Sequence, residues 1–455
     1  MNPRPWLPLL ALALAGCAST SPKQADAQVA ELLAARGEPA PPWDRQSPED
    51  AQVARRVDQL LALPLTPDSA VEVALLRNPG LIATYQSVGV AQADLAQAGL
   101  LSNPRLGLSV GFPVGGSGAV ALGGSLVGDF LELFTLPLRK HLAQGALREA
   151  ELRVGDAVVA LAAQVRAQLV RVQAAQQRCA LEQTWVTAED AAAELSARQA
   201  QAGNISELRD DGRQVLAEQA RVALLKSRAQ VEDAREALTA LLGVPGTSAW
   251  TLAATLPALP AADPPLAELE SKALTQRLDL AAAHAEVERL TQALALRTHT
   301  RLLPGVDLGI AAERDSEGTP TVGPTLDLEL PIFDQHQGQV ARLQAQLRGA
   351  QAMQRERALA VAAQVRAAHR HLAQARSVIA HYQTALLPLQ ARMVALAQKQ
   401  YDAMLLGVYG LILARQAELS TDRAYIEAVR DYWLARVALE RAVGARLPAA
   451  TQDPR

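Results

Sequence analysis

Ser109 stands in the string Gly107-Leu108-Ser109-Val110-Gly111, the spacing in which acyl-transfer hydrolases carry a nucleophile. That chemistry needs a strand, a sharp turn and then a helix, so that the hydroxyl is lifted toward a base. Here an alternation of apolar and small residues runs straight through the string, and no turn is available. The loop Gly115-Gly116-Ser117-Gly118 lacks phosphate-binding spacing and opens no helix. His369 and His371 are two apart in a helical pattern, so they do not share a face. His284 and Glu288 do share one, but no third metal ligand follows. Cys179, inside a long helical pattern, reads as a small core residue rather than a reactive thiol. No catalytic residue, resident metal or cofactor is expected, and the chain does not read as an enzyme.

The cysteine with chemistry is Cys17. Arg4 begins a short charged start, Trp6 to Ala15 is apolar but too short to span a bilayer, and Leu14-Ala15-Gly16-Cys17 follows. This resembles the bacterial lipobox, in which the chain is cut before the cysteine and the thiol is lipidated. Residues 1–16 are then a signal peptide, and 17–65 an anchor and periplasmic lead. Residue 18 is Ala and not the Asp that retains lipoproteins in the inner membrane of enteric-type bacteria, which points to the outer membrane. With Cys17 lipidated, Cys179 has no partner for an intramolecular disulfide.

The elements around these residues occur twice. Residues 78–243 and 277–444 each run through a helix, an alternating stretch, a loop, a second alternating stretch ending in Leu-Pro, and two very long helices. Pro104-Arg-Leu-Gly-Leu answers to Pro304-Gly-Val-Asp-Leu, Leu136-Pro137 to Leu330-Pro331, and Ala237–Gly243 to Ala438–Gly444. Composition agrees: 49% of residues are hydrophobic but only 3% aromatic, so Ala and Leu do the packing, as in long close-packed helices. A net charge of -3 argues against a nucleic-acid partner.

The first repeat is expected over 66–243, opening at the helix cap Thr66-Pro67-Asp68-Ser69, with strands near 104–112 and 119–130 and helices near 139–201 and 206–242. A linker and equatorial segment covers 244–275. The second repeat covers 276–446, with strands near 304–312 and 321–331 and helices near 337–404 and 410–443; 447–455 is a tail. Pro388 should kink the third long helix. In the strands Leu106, Leu108 and Val110, and then Leu308, Leu326 and Leu328, alternate with small or polar residues. Each stretch is close to the ~9–11 residues of a transmembrane strand. Four strands cannot close a barrel, and open edges are not tolerated in lipid. Three copies give a closed twelve-stranded barrel, and their helices a tube that continues it.

The chain resembles the TolC-family outer membrane factors of the lipoprotein branch. The residues that carry this are Leu65–Ala70 with Ala74–Leu81, Leu136–Arg139, Leu330–Asp334, Leu387-Pro388, and Tyr401 ahead of Gly407. Each motif alone is weak, and their order and duplication are specific. The resemblance implies a homotrimer with a β-barrel in outer-membrane lipid and an α-helical barrel crossing the periplasm. It also implies a passive exit duct for drugs, metals or other small molecules, docked on a periplasmic adaptor and an inner-membrane pump. Gly203, Asn204, Gly407, Val408 and Tyr409 would form the docking tips, with the two glycines taking positive φ; the alternative is that the glycines are only helix C-caps. Family members often carry a ring of acids after the second tip, but Tyr409–Gln416 has none and Glu418 lies just beyond. Glu207, Asp210 and Asp211 of the first tip line the constriction or form a solvated face. The competing class is a lipid-anchored periplasmic adaptor or helical scaffold. An adaptor needs one helical hairpin flanked by half-lipoyl β segments, whereas this chain has two hairpins and no such flanks.

Overall fold

The computed structural model describes residues 23–39, 49–112, 120–301, 305–314 and 319–447. Cys17, the signal segment, the loop 113–119, residues 302–304 and 315–318, and the tail from 448 lie outside the described residues. The helices are α1 (Lys23–Ala34), α2 (Glu49–Leu61), α3 (Pro67–Arg77), α4 (Pro79–Ala98), α5 (Glu132–Gln201), α6 (Glu207–Leu242), α7 (Leu266–Gln276), α8 (Leu278–Thr300), α9 (Gln337–His381), α10 (Leu387–Asp402) and α11 (Val408–Val443). The strands are β1 (Arg105–Gly111), β2 (Ala121–Asp129), β3 (Gly305–Arg314) and β4 (Pro320–Glu329). The described residues fall into two compact units, one from residues 23–27, Gln86–Arg153 and Asp279–Arg357, the other from Gln28–Tyr85, Val154–Leu278 and residues 358–447.

The first unit carries a four-stranded antiparallel sheet in the order β1-β2-β3-β4. The Leu-Pro pairs that end the two β hairpins have different fates. Leu136-Pro137 lies inside α5, which begins at Glu132 rather than Arg139. Asp129 Oδ1 accepts from the Leu131 and Glu132 amides at 2.9 and 3.3 Å, and this cap starts the helix early. So close to the start, proline removes a single ladder bond. Leu330-Pro331 stays outside α9, which begins at Gln337 after His336 takes a left-handed φ of 58°.

The second unit is helical, and its core follows heptad spacing. Val365, Leu372 and Ile379 of α9 are seven apart. Val429, Tyr432, Arg436, Leu439 and Val443 of α11 alternate three and four apart, and all are buried. That is the seam of two helices wound left-handedly about each other. Tyr432, fully buried on this seam, donates to Asp263 Oδ1 at 2.8 Å, and Arg376 Nε donates to Asp263 Oδ2 at 2.6 Å. Burial first, and then Asp263, push the Tyr432 phenol up from its ordinary range.

Pro388 sits in the first turn of α10, and a π-turn over Tyr382–Leu386 precedes it. The wider turn lets the Leu387 amide reach the Tyr382 carbonyl and absorbs the residue that cannot donate. The repeat is also visible in the caps. Asn78, between α3 and α4, donates to the Leu241 carbonyl at 2.9 Å, and Arg277, between α7 and α8, donates to the Ala442 carbonyl at 3.3 Å. Each junction receives the end of a long helix that stops at a left-handed glycine, Gly243 (φ 68°) or Gly444 (φ 79°).

Candidate functional site

The register of the sheet sorts its side chains with two exceptions, Arg314 among the leucines and Val127 opposite them, because paired residues of neighbouring strands share a face. On one face lie Leu106, Leu108 and Val110, then Leu122, Gly124 and Leu126, then Val306, Leu308 and Ile310, then Val322, Leu326 and Leu328. Leu108 is 80% exposed and Val322 74%, so this apolar face is bare in the single chain. The opposite face carries Gly107, Ser109, Gly123, Ser125, Gly309, Thr321 and Thr325, with Glu313 at one end and a cluster of charges at the other. In that cluster Asp129 pairs with Asp307 and Asp307 with Asp327 across adjacent strands, and Arg105 forms an ion pair with Asp307. Like charges directly opposite are destabilising unless solvent or a counter-charge relieves them. The sequence reading missed this acidic row, although the aspartates occupy the odd, non-leucine positions. Ser109 lies mid-strand opposite Gly123, without the turn that a nucleophile needs.

All four phenylalanines of the chain flank these strands: Phe112, Phe130, Phe134 and Phe333. Phe130 and Phe134 meet edge-on with centroids 5.4 Å apart, and Phe333 is 91% exposed.

In the helical unit the two hairpin tips are built alike. The Asn204 amide donates to the Gln199 carbonyl and the Leu405 amide to the Gln400 carbonyl, both at 2.8 Å, which closes each long helix with the same turn. Gly203 takes φ 74° at the first tip. At the second, the left-handed residue is Met404 (φ 61°), and Gly407 is an extended helix N-cap at φ −71°. The expectation that Gly407 serves through positive φ is therefore corrected: its place in the turn matches Ser206, the N-cap of α6, and Gly203 matches Met404. Both tip glycines are exposed with open space where a side chain would begin. Asn204 is exposed, as are Leu208, Met404 and Leu405, at 83%, 95% and 80%. Val408 opens α11, and one residue on the Tyr409 hydroxyl donates to Gln199 Oε1 at 2.9 Å while Arg213 lies 4.4 Å above its ring.

Glu207 and Asp210 lie in the first turn of α6, where the positive end of the helix favours acids, and Asp210 accepts from Gln214 at 3.4 Å. Asp211 is exposed. One turn from Glu418 on α11, burial first and Glu418 second push the Asp422 carboxyl up. Between α5 and α11 runs a polar network that sequence reading did not find. Trp185 Nε1 donates to the buried Glu189 at 3.1 Å, and Gln416 donates to the same oxygen. Arg423 stacks 3.6 Å over Trp185 and binds Glu182 at 2.8 Å. Its signal was a lone Trp in a polar helical stretch. Among the described residues no group of three or more His, Cys, Asp or Glu could hold a metal, and no helix is long and apolar enough to cross a membrane.

These two-faced strands and paired helical hairpins define the fold class of outer membrane efflux channels. The structure matches the CmeC outer membrane channel of Campylobacter jejuni with a TM-score of 0.71 at 15% identity, covering 91% of each chain. It matches a membrane protein from Pseudomonas aeruginosa with a TM-score of 0.69 at 20% identity, covering 86% of this chain and 93% of that one. The sequence model of the family described as outer membrane efflux protein matches residues 70–244. The cobalt-zinc-cadmium resistance protein CzcC of Cupriavidus metallidurans is 27% identical over 291 residues, which are 60% of this chain and 65% of that protein. Over residues 70–244 the chain carries the sequence pattern of that family, and its fold is the one these channels share.

Proposed function

We propose that the protein is the outer-membrane exit duct of a tripartite efflux system. The observation that carries this is the sheet: one face apolar along its length except for Arg314 at its end, the other mainly small and polar, and the outer edges of β1 and β4 unpaired among the described strands. Three copies join those edges into twelve strands, turn the leucine face to lipid and the Ser109 face to a lumen. The hairpins of the three copies make the periplasmic tube. Gly203, Asn204, Gly407, Val408 and Tyr409 present its tips to a periplasmic adaptor, which connects to an inner-membrane pump, and Glu207, Asp210 and Asp211 line the constriction. Transport is passive in this chain. A relative's metal-resistance name makes divalent cations the first cargo to test. In outer-membrane fractions a trimer should migrate anomalously until heated, and deletion of the gene should sensitise cells to its cargo. Monomer migration with or without heating would overturn the barrel.

The anchor is Cys17. Metabolic labelling with palmitate should mark the wild-type chain and not Cys17→Ala; label retained by the variant would disprove lipidation there. The docking role of the second tip has its own test. With φ −71° and open space at its α-carbon, Gly407 accepts a bulky side chain without backbone strain. Gly407→Trp should therefore leave trimer abundance unchanged and abolish efflux. Full resistance with normal trimer would remove Gly407 from the docking surface.

A further inference from the structure

Four helices of the helical unit stand side by side in the order α6, α5, α11, α10. Arg221 and Arg228 of α6 reach Asp190 and Gln183 of α5 at 2.9 and 2.7 Å. Arg423 of α11 reaches Glu182 of α5 at 2.8 Å, and α10 packs on α11. α6 and α10 are therefore the two edges of this layer. Each already buries one seam in its own chain: Ala217, Ala220, Leu224 and Ser227 on α6, Val394 and Ala397 on α10. Each carries a second seam that is bare. On α6, Leu208, Val215 and Val222 are seven apart and Leu225 follows three later; on α10, Leu389, Met393 and Leu396 are four and three apart. Val215 is 53% exposed and Leu396 56%, and the other five are exposed too. This is the spacing of coiled-coil core positions, here without a partner helix among the described residues.

The tips fix how two such seams can meet. Because Gly203 matches Met404, the second-hairpin residues equivalent to Asp190 and Gln183 are Ala391 and Thr384. With the tips of two copies level, Ala391 of one copy lies near the height of Arg221 of the next, and Thr384 near that of Arg228. Heptad registers recur every two turns, so this alignment admits one antiparallel register. In it Leu396 is level with Val215, Leu389 with Val222, Leu386 with Leu225 and Met393 with Glu218. All three charged residues of α10 then meet an opposite charge on α6 to within one residue: Arg392 with Glu218, Lys399 with Asp211, Asp402 with Arg209. Glu218 also holds Arg221 at 2.5 Å, and Asp402 accepts from Gln398 at 2.9 Å, yet both remain exposed. We propose that α6 of one copy binds α10 of the next along these seams. The occupant is a second copy of this chain, because the two sides agree in spacing, register and charge. The two sides differ, so the contact is head-to-tail and closes a ring. The inference rests on the trimeric duct and adds which helices meet and in what register.

The test takes Cys179→Ser as parent and baseline. Outer-membrane fractions are treated with dibromobimane, which bridges only closely spaced thiols, then heated and run on a denaturing gel. Val215→Cys with Leu396→Cys, and Val222→Cys with Leu389→Cys, should give covalent dimers and trimers. Val215→Cys with Leu389→Cys, and Val222→Cys with Leu396→Cys, are offset by seven residues, about 10 Å along the helices, and should stay monomeric. Both sets use the same four substitutions, so a folding defect would lower both alike. Equal yields in the two sets, or no covalent product from a matched pair that still runs as a trimer before heating, would overturn the seam and leave the duct standing. A wild-type chain that runs as a monomer before heating would overturn both.

Discussion

Leu108→Arg should remove the protein from the outer membrane as a folded trimer, and Ser109→Arg, one residue away, should not. Adjacent strand residues point to opposite faces, so the pair tests the sheet assignment with nearly everything else held constant. Leu108 lies on the leucine face opposite Gly124 and is 80% exposed in the single chain. In the proposed barrel an arginine there meets hydrocarbon, which costs about 2–4 kcal/mol near the midplane for each copy. Ser109 lies opposite Gly123, which has no side chain to obstruct a longer neighbour, and its face already accommodates Arg105 beside Asp307. The measurement is the abundance of heat-modifiable trimer in outer-membrane fractions for the two variants and wild type. If Ser109→Arg lowers it as far as Leu108→Arg, the lumenal and lipid faces are assigned wrongly.

The strands and long helices were readable because their signals repeat over many residues: even-numbered leucines opposite glycines, and long Ala-rich stretches with few internal breakers. Ends were less readable, since one or two side chains decide them. Pro137 looked like a boundary, but Asp129 supplies the cap that starts α5 before it. The identical Leu-Pro before α9 stays outside its helix, so the dipeptide by itself does not set the boundary. Gly407 was matched with Gly203 because both are glycines near a turn. The backbone aligns Gly203 with Met404 instead, and a left-handed methionine has no marker in the sequence. Networks such as Trp185–Glu189–Gln416 join residues far apart in the chain, and one sequence holds no record of which distant polar groups meet. The site's chemistry was legible in part for the same reason. The two faces of the sheet follow from period two, while the acidic row Asp129–Asp307–Asp327 depends on register across strands from both halves.

The duplication predicts which glycine the fold tolerates least. Gly243 ends α6 at φ 68°, and a β-carbon placed there would sit 2.5 Å from the Arg77 carbonyl oxygen and 2.8 Å from the Asn78 Cα. Those are backbone atoms that no rotamer change can move. Gly243→Ala therefore carries the left-handed strain of about 1–2 kcal/mol and must also push the end of α6 away from the junction of α3 and α4. That separation breaks the hydrogen bond from Asn78 to the Leu241 carbonyl at 2.9 Å, for a further loss of about 1–3 kcal/mol if the groups stay buried. Gly444, its counterpart in the second repeat, would meet the Arg277 Cγ at 3.0 Å and Cα at 3.2 Å, a milder conflict because the nearest atom belongs to a flexible side chain. Gly203 has the same left-handed backbone and nothing within 4 Å, so Gly203→Ala should bear the strain alone. The expected order of destabilisation is Gly243→Ala, then Gly444→Ala, then Gly203→Ala, read from thermal loss of the helical circular dichroism signal of the purified proteins. Equal losses at Gly203 and Gly243 would mean that backbone conformation, and not the close approach of α6 to the Arg77–Asn78 junction, sets the need for glycine.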